Sequence, residues 1–172
     1  MSDHLWQKAA SFAARAHQGQ VRNDGLTPYV AHPFRVALTV RIVFGCDDPI
    51  ALAAALLHDV IEDTPGDYDD IASAFGDEVA ACVAALSKDM RLPEPQREPA
   101  YDDGLRRADW RARLIKLADT YDNLCDRSDG WRKAADRCRR AIDLARPDAG
   151  ERPEIRRAIE AVEALVAVRG EG

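Results

Sequence analysis

The chain has few aromatic residues, no paired cysteine motif and no excess of positive charge. Aromatics make up 6% of its 172 residues. The four cysteines, Cys46, Cys82, Cys125 and Cys138, are scattered without a CxxC spacing, which is typical of reduced thiols rather than of disulfides or a zinc ribbon. The formal net charge of −6 argues against binding to nucleic-acid polymers, which usually requires a basic surface, and against anchoring on an anionic membrane.

Long apolar segments are also missing. The longest run, Ile50–Leu57, is far too short to cross a bilayer, and the first residues contain no apolar core of signal-peptide length. We therefore expect a cytoplasmic protein. Hydrophobic residues make up 47% and charged residues 31% of the chain, which together with its length indicates one globular domain over residues 1–172.

What the chain has instead is helical periodicity along almost its whole length. Alanine and leucine are abundant, and apolar residues recur three and four positions apart, which predicts an all-α helical bundle. Asp48 and Pro49 are typical of a helix start, and Val43 is expected on the apolar face of the preceding helix. The pattern predicts helices over residues 5–16, 32–44, 49–63, 69–75, 77–86, 110–124, 134–144 and 153–166.

Two segments leave alternatives open. The stretch Arg91–Pro99 holds three prolines and is expected to be an irregular connection, either a candidate lid or a plain surface loop. The last helix, from Pro153, is expected either to pack on the rest of the chain or to form a dimer contact. Its apolar spacing does not decide between the two, so the oligomeric state stays open.

Histidine and aspartate residues are placed along the chain in a way that suits a divalent metal. His58 and Asp59 follow a strongly apolar run, where a buried histidine needs a hydrogen-bond partner or a metal. With His32 before them and Asp119 after them, they offer two nitrogens and two carboxylates, a mixed set that suits manganese, iron, zinc or cobalt. The alternatives are that His32 is only a helix cap and that Asp119 is a surface residue paired with Lys116.

An acidic pair follows the central His-Asp dipeptide. Glu62 and Asp63 come three and four residues after Asp59, on the same face of the predicted helix. Three neighbouring carboxylates repel one another, so a bound cation would relieve the cost of burying them, and one of them could take a proton from water. The alternative is a solvated acidic helix end. Asn123, four residues after Asp119, suits contact with a substrate oxygen.

Basic residues are crowded into one stretch of the second half of the chain. They are expected to form solvated helix faces, with the alternative that one or two of them approach a phosphorylated substrate. The stretch contains Arg106, Arg107, Arg111, Arg113, Lys116, Arg127, Arg132, Lys133, Arg137, Arg139 and Arg140.

Four strings of the sequence resemble HD-domain metal phosphohydrolases, and among them the alarmone hydrolases, namely the hydrolase domain of RelA/SpoT proteins and its small stand-alone relatives. The strings are AARAHQGQVRNDGLTPYVAHPFRVA, ALAAALLHDVIEDT, FGDEVAACVAALSKD and LIKLADTYDNL. The resemblance covers about residues 5–127 and leaves out the C-terminal helices, residues 130–170. It implies an all-helical HD-domain fold with one divalent ion, usually Mn²⁺, that removes the 3′-pyrophosphate from (p)ppGpp to give GDP or GTP.

The resemblance also implies roles for individual residues. The metal ligands would be His32, His58, Asp59 and Asp119. Glu62 and Asp63 would be the catalytic residues, which activate or position the attacking water and assist the leaving group. Contacts with a small-molecule nucleotide substrate would come from Arg22, Asn23 and Asn123.

Three positions depart from the usual pattern of these hydrolases. Asn23 stands where a lysine usually follows the loop arginine, Thr120 stands where a basic residue usually follows the last metal aspartate, and Asp122 replaces an aromatic residue or histidine. Each change removes positive charge or adds negative charge near the expected site, where one charge-assisted contact is worth about 1.5–3 kcal/mol. The alternatives are therefore an HD-domain nucleotidase or NADPH phosphatase and, in another class, a nucleotide-binding protein without turnover.

Overall fold

A computed structural model describes residues 4–126 and 130–170 of the chain. Within these ranges every regular element is helical apart from one bridge between Val21 and Pro28, which confirms the predicted all-α class. Among the helices of residues 4–126 and 130–170, none is both long and apolar enough to pass through a membrane. The α-helices are α1 (Leu5–Ala16), α2 (Ala31–Leu38), α3 (Pro49–Leu57), α4 (Val60–Asp63), α5 (Tyr68–Phe75), α6 (Asp77–Leu86), α7 (Glu94–Arg107), α8 (Trp110–Cys125), α9 (Trp131–Ala145) and α10 (Pro153–Gly170).

Helix α3 lies at the centre of the bundle and is buried along most of its length. The side chain of Asp48 accepts a hydrogen bond from the Ala51 N–H at 2.9 Å, and Pro49 occupies the first turn, where its missing N–H has no partner to lose. The buried side chains of α3 are mostly alanines, and helices α1, α2, α6 and α8 pack around α3. Helix α9 packs against α8, and α10 packs against both.

The predicted third helix is interrupted at its C-terminal end. The sequence pattern predicts one helix over residues 49–63, but α3 ends at Leu57 and the short α4 follows after two residues. The Nδ1 atom of His58 lies 2.8 Å from the Ala55 carbonyl oxygen, to which it can only donate. In a continuous helix that carbonyl would accept from the N–H of Asp59, so the imidazole competes with the backbone at this turn.

A π-helical turn, Thr39–Val43, extends α2 and changes which side chains face the core. Each residue of this wider turn is rotated relative to its place in an α-helix. As a result Val43 is 41% exposed, and Phe44 is fully buried instead. The prediction that Val43 lies on the apolar face is therefore wrong.

The proline-rich stretch is helical, contrary to the prediction of an irregular connection over residues 91–99. Helix α7 covers most of it. One proline precedes the helix and the second, Pro95, lies in its first turn, where the missing N–H has no intrahelical partner. The third, Pro99, lies inside the helix, and α9 supports this turn because Arg140 donates to the carbonyl oxygen of Glu98 at 2.8 Å. The candidate lid is a packed helix.

The last helix packs on the chain itself. Helix α10 contacts α8, α9 and the π-helical turn, where Arg157 donates to the carbonyl oxygen of Phe44 at 2.8 Å. A 3₁₀ turn, Arg146–Gly150, leads from α9 towards α10. Of the two alternatives for this helix, intramolecular packing accounts for its buried apolar residues, which are Ile155, Ala158, Ile159 and Val162.

Candidate functional site

Two histidines from different helices meet at the bottom of a cleft. His32 lies in the first turn of α2 and His58 at the break between α3 and α4, and their ring centroids are 5.1 Å apart. Both are buried. The Nδ1 atom of each ring faces an acceptor, the Asp122 carboxylate at 2.7 Å for His32 and the Ala55 carbonyl at 2.8 Å for His58. Both Nε2 atoms are therefore free to act as ligands on the cleft side.

Two aspartates complete this His/Asp cluster. Asp59, at the start of α4, has its carboxylate oxygens 3.2 Å from His58 Nε2 and 3.6 Å from His32 Nε2. Asp119, on α8, has its Oδ1 atom 3.3 Å from His32 Nε2 and 3.9 Å from His58 Nε2. Atoms that each lie about 2.1 Å from one ion are roughly 3–4 Å from one another. Each aspartate thus lies at a distance from both imidazole Nε2 atoms that suits a shared ion, at 3.2 and 3.6 Å for Asp59 and at 3.3 and 3.9 Å for Asp119.

The chemistry of the cluster fits a divalent cation. His58 Nε2 is buried and has no hydrogen bond of acceptable geometry within the described ranges, a costly state for a polar atom. His32, His58 and Asp59 offer ligand atoms within 4.8 Å of one another. The nearby carboxylates of Asp59 and Asp119 repel each other unless a positive charge lies between them. A divalent cation would satisfy the imidazole nitrogen and neutralise both carboxylates.

Protons and a metal compete for the same atoms of the cluster. Burial lowers the pKa of His58, but the negative charges of Asp59 and Asp119 outweigh it and raise the pKa to about 9. Burial also lowers the pKa of His32, but the hydrogen bonds to Asp119 and Asp122 outweigh it and raise the pKa. Burial raises the pKa of Asp59, yet the charge of His58 lowers it to about 2. A metal must therefore displace protons from the imidazoles when it binds.

The acidic pair lies at the rim of the cluster and is exposed to solvent. The hydroxyl oxygen of Tyr29 is 2.7 Å from Asp59 Oδ2 and 2.9 Å from Asp63 Oδ2, so it can donate to either. Glu62 accepts a hydrogen bond from the backbone N–H of Lys88 at 3.0 Å. Desolvation raises the pKa of Glu62 despite that hydrogen bond. Tyr29 connects the cluster to the acidic pair, and the sequence analysis did not single it out.

The predicted substrate residues occupy different positions relative to the cleft. Asn123 donates to Asp119 Oδ1 at 2.6 Å and accepts from Arg22 at 3.1 Å. Arg22 also pairs with Asp126 at 2.9 Å, and both Arg22 and Asn123 line the cleft. Asn23 is exposed on the adjacent turn and is not among the described lining residues. Its contact with a substrate stays a prediction.

A partly buried cation accompanies Asp119. The Nζ atom of Lys116 lies 2.8 Å from Asp119 Oδ2 and 5.4 Å from the ring centroid of Tyr101. Burial lowers the pKa of Lys116, but the charge of Asp119 outweighs this and raises it, so the amine is protonated. The sequence analysis treated this ion pair as an alternative to a metal ligand. Asp119 is placed for both, because Oδ2 faces Lys116 while Oδ1 faces the histidines.

The cleft has two connected parts. The inner chamber, of about 170 Å³, contains the cluster and Tyr29. The outer cavity, of about 530 Å³, lies between α7, α8 and α9 and has the volume of a pocket for a small-molecule ligand. Residues that line both parts are Glu62, Lys88, Tyr101, Lys116, Asp119 and Asn123.

Positive charge in the outer cavity is partly committed to ion pairs. The cations that line it are Lys88, Lys116, Lys133, Arg137 and Arg140. Lys88, Lys116 and Arg140 pair with carboxylates at 2.6–2.8 Å. Lys133 and Arg137, one helical turn apart on α9, are exposed and form no ion pair with any residue in 4–126 or 130–170. These two are available to a phosphorylated ligand. Arg127, from the same basic stretch, lies outside the described residues.

Two of the unusual positions are buried. Asp122 is 5% exposed and lies behind His32, and Arg35 balances its charge at 2.6 Å. Asp122 is not among the described residues that line the cleft, because its side chain contacts His32 and Arg35 of α2. Thr120 is buried in the wall of the outer cavity, where its hydroxyl donates to carbonyl oxygens of its own helix. A neutral residue at position 120 therefore adds no positive charge at this point of the wall.

Comparison with known proteins identifies the family. One family model, described as HD domain, matches residues 9–146, which contain the whole cluster and the acidic pair. The chain belongs to the HD-domain family.

Several relatives share the HD-domain part of the sequence. The guanosine-3′,5′-bis(diphosphate) 3′-pyrophosphohydrolase MESH1 of Homo sapiens is 38% identical over 129 residues, which cover 72% of this chain and 72% of the relative. MESH1 of Drosophila melanogaster is 36% identical over 122 residues, 70% of this chain and 68% of the relative. The bifunctional (p)ppGpp synthase/hydrolase SpoT of Escherichia coli is 40% identical over 124 residues, 69% of this chain but only 17% of SpoT.

Solved structures show the same HD-domain architecture. One, described as a metazoan ortholog of SpoT that hydrolyses ppGpp, is 27% identical and matches with a TM-score of 0.81 over 96% of each chain. A protein of Listeria monocytogenes shares the fold at 24% identity, with a TM-score of 0.60 over 81% of this chain and 96% of the other. The 96% coverage of the first match extends the likeness into the C-terminal helices, beyond the strings recognised in the sequence.

One residue of this HD-domain site was missed by the sequence analysis although a spacing pointed to it. Tyr29 precedes His32 by three positions, and residues so spaced share one face of a helical turn. A search for polar residues at i−3 from each candidate ligand would have found it. Lys133 and Arg137 had no such signal, because their place at the cavity depends on how α9 packs on α8.

Proposed function

We propose that this HD-domain chain is a metal-dependent phosphohydrolase that removes the 3′-pyrophosphate of (p)ppGpp and releases GDP or GTP. The observation that carries the proposal is the buried His/Asp cluster at the bottom of a cleft with room for a nucleotide. Relatives named for this reaction support the choice of substrate.

The proposed reaction makes defined demands on the chain. A water oxygen forms a bond to the phosphorus attached to the 3′ oxygen, and the bond between that phosphorus and the 3′ oxygen breaks. Pyrophosphate leaves and the 3′ oxygen takes up a proton. A divalent ion held by His32, His58, Asp59 and Asp119 would supply Lewis-acid polarisation and charge neutralisation. The chain itself must provide a proton acceptor near the water, a proton donor for the 3′ oxygen and positive charge around the remaining phosphates.

Glu62 and Asp63 are the proposed proton-handling groups. The raised pKa of Glu62 makes its carboxylate a stronger base than an ordinary glutamate, which suits it to accept the proton of water and to return that proton to the 3′ oxygen. The hydroxyl of Tyr29, 2.9 Å from Asp63, orients the second carboxylate. The hydrogen bond from the Lys88 N–H does the same for Glu62.

The positive charges suit a nucleotide that enters through the outer cavity. Lys116 is held at the junction of the two parts of the cleft, where its ammonium group would lie beside the reacting phosphate. Lys133 and Arg137 would contact the phosphates remote from the reaction, since neither has an ion-pair partner in the described chain. Arg22 and Asn123 would border the inner chamber, where the 3′ substituent reacts.

We propose Mn²⁺ as the resident ion. Two imidazole nitrogens and two carboxylate oxygens suit manganese, iron, cobalt and zinc alike. The choice of manganese rests on the resemblance to alarmone hydrolases. Metal-free protein reloaded separately with Mn²⁺, Co²⁺, Zn²⁺ or Mg²⁺ should show its highest kcat with Mn²⁺, and a higher kcat with another ion would replace manganese in the proposal.

The experiment that tests the function is turnover of a substrate panel by the Mn²⁺-loaded protein. The panel contains ppGpp, NADPH and the four ribonucleoside triphosphates, and anion exchange separates the products. Formation of GDP and pyrophosphate from ppGpp is the expected result, and Asp59→Ala should remove it. No turnover of ppGpp together with phosphate release from NADPH would overturn the proposed substrate, but the chain would still be a phosphohydrolase. Tight nucleotide binding by calorimetry without any product would make the chain a binding protein.

A second candidate function is dephosphorylation of NADPH or of another nucleoside phosphate. It is favoured by the charge of the outer cavity, whose lining contains more carboxylates than cations. A nucleotide with fewer phosphate charges than ppGpp suits such a wall, and Asn23 in place of a lysine points the same way. The carboxylates that line the cavity are Glu62, Glu94, Glu98, Asp102, Asp119 and Asp136.

A further inference from the structure

The two histidines of the cluster are held by unlike partners. The Nδ1 atom of His58 faces the neutral backbone carbonyl of Ala55. The Nδ1 atom of His32 faces a charged side chain, the carboxylate of Asp122, which lies 90 positions further along the chain. The first partner comes with the local turn, whereas the second is present only if residue 122 carries a suitable acceptor.

Asp122 is a buried carboxylate with both oxygens engaged. Its Oδ2 atom lies 2.7 Å from His32 Nδ1 and accepts from the terminal nitrogen of Arg35 at 3.0 Å, while Oδ1 accepts from Arg35 Nε at 2.6 Å. Only 5% of the residue is exposed. A carboxylate this far from water is tolerated when a cation and hydrogen bonds compensate it, and Arg35 and His32 supply both.

The same group of contacts continues to the cleft. Arg35 also pairs with Asp126 at 3.1 Å, and Asp126 pairs with Arg22 at 2.9 Å. Arg22 in turn donates to Asn123, which donates to the candidate ligand Asp119. Asp122 on α8 and Asp126, four residues later at the C-terminal cap of this helix, thus bind the arginines that border His32 on one side and the inner chamber on the other. This arrangement leaves the His32 ring little freedom to rotate.

We propose that Asp122, charge-balanced by Arg35, is a positioning residue that orients His32 and thereby sets the affinity of the cluster for a divalent cation. The inference rests on the proposed metal site. A carboxylate that accepts from Nδ1–H keeps the proton on that nitrogen and leaves the Nε2 lone pair directed at the site. A carboxylate that accepts from Nδ1–H also makes Nε2 a better electron-pair donor to a metal than a backbone carbonyl in the same place does. His32 is therefore the stronger of the two nitrogen ligands.

The first measurement is the affinity for Mn²⁺ alone, by isothermal titration of metal-free protein. Asp122→Asn keeps a side chain of the same shape but loses the charge, and it should weaken Mn²⁺ binding by about 10–100-fold, the range for partners of metal-bound histidines. Arg35→Gln keeps the carboxylate and should weaken binding less than Asp122→Asn does. Asp143→Asn, an exposed position on α9, makes the same chemical change on the surface and should bind as the wild type does.

The second measurement reads the imidazole directly. In protein labelled with ¹⁵N-histidine and loaded with diamagnetic Zn²⁺, nitrogen spectra should show His32 protonated at Nδ1 in the wild type. Asp122→Asn should shift the His32 Nδ1 resonance, because the hydrogen bond to a carboxylate is lost, while His58 keeps its spectrum. A merely structural role for the Asp122–Arg35 pair would lower Tm without moving either the His32 resonances or the Mn²⁺ affinity.

The outcomes separate this inference from the proposed function. If the wild type binds Mn²⁺ and Asp122→Asn binds within twofold of it, the positioning role is overturned and the metal site stands. If the wild type binds no divalent cation, the proposed metal site fails and the inference fails with it. Should Asp122→Asn not fold, the double variant Asp122→Asn with Arg35→Gln leaves no unpaired charge, and it should still show the 10–100-fold loss.

Discussion

The inner chamber and the outer cavity of the cleft are built in different ways. In the inner chamber the key side chains come from α2, α8 and the break between α3 and α4, and His32 and His58 are buried with a partner on each Nδ1. In the outer cavity the walls are α7 and α9, joined by partly exposed ion pairs such as those of Arg140 with Glu98 and Asp102. Burial fixes the orientation of the histidines in the inner chamber, whereas partly exposed ion pairs shape the outer cavity that would receive the rest of the ligand.

The difference predicts unequal sensitivity to substitution. Removing one member of a buried charged group leaves its partner uncompensated, which costs about 3–5 kcal/mol. Partly exposed ion pairs contribute roughly 0–1 kcal/mol each. Changes in the inner chamber should therefore alter catalysis and metal binding strongly, while changes in the outer cavity should mainly alter KM. The predictions below test this contrast.

The largest effect is expected for Asp59→Ala. It removes a proposed metal ligand that also lies 2.7 Å from the hydroxyl of Tyr29, so turnover should fall by more than the roughly 100-fold known for outer partners of a metal site. Metal content by plasma emission and kcat on the active substrate check this. Asp69→Ala, at an exposed position of α5, is the control and should keep both. Full activity of Asp59→Ala with metal still bound would contradict the mechanism.

Glu62→Gln should lower kcat by about 10²–10⁴-fold, the usual contribution of a positioned acid or base. The metal content should stay that of the wild type, because the residue lies at the rim and not in the cluster. Comparison with Asp63→Asn tells which carboxylate accepts the proton of water. The pH dependence of kcat should lose its acidic limb in Glu62→Gln, and an unchanged profile would assign the proton transfer elsewhere.

In the outer cavity, Lys133→Ala and Arg137→Ala should each raise KM by about 10-fold or more, as expected for the loss of one charge-assisted contact of 1.5–3 kcal/mol. The value of kcat should change little, since these residues are remote from the cluster. Arg132→Ala is the matched control on the same helix, because Arg132 stacks on Trp131 and does not line the cavity. Equal effects of Arg132→Ala and Arg137→Ala would assign the change to general surface charge.

The smallest effect concerns the stability of the metal-free protein. The pKa of His58 is raised from 6.5 to about 9 in the fold, so the folded state binds this proton more tightly than the unfolded state. The stabilisation is complete below about pH 6.5 and is lost as the pH rises through 9. Between these values Tm of chelator-treated protein should fall by roughly 5–10 °C. The metal-loaded protein should not show this fall, and identical profiles would argue against a shared site for proton and metal.

Local patterns predicted much of the helical fold. Helices α1, α5, α6 and α8 were expected near their observed bounds, because apolar spacing and caps such as Asp48 act within a few residues. The prediction failed at α7, because Pro95 and Pro99 are residues that usually break a helix. The hydrogen bond from Arg140 of α9 to the Glu98 carbonyl supports this helix, and the sequence alone does not show it. The prediction failed also at the end of α3, where the side chain of His58 interrupts the backbone hydrogen bonds.

The candidate site divides in the same way between local and tertiary causes. Residue type alone selects imidazole and carboxylate groups, so His32, His58, Asp59 and Asp119 could be proposed as ligands before any coordinates, and the family resemblance supported the same four. Their roles remain proposals, but their proximity is a property of the fold.

By itself, the sequence determined the all-α class and the set of groups available for metal chemistry, because helical periodicity is local and donor atoms belong to residue types. Only the tertiary structure decided that Asp122 lies behind His32 instead of in the cleft, and that Lys133 and Arg137 line the outer cavity without an ion-pair partner among the described residues. The physical reason is that the neighbours of a side chain depend on how helices far apart in the chain pack together.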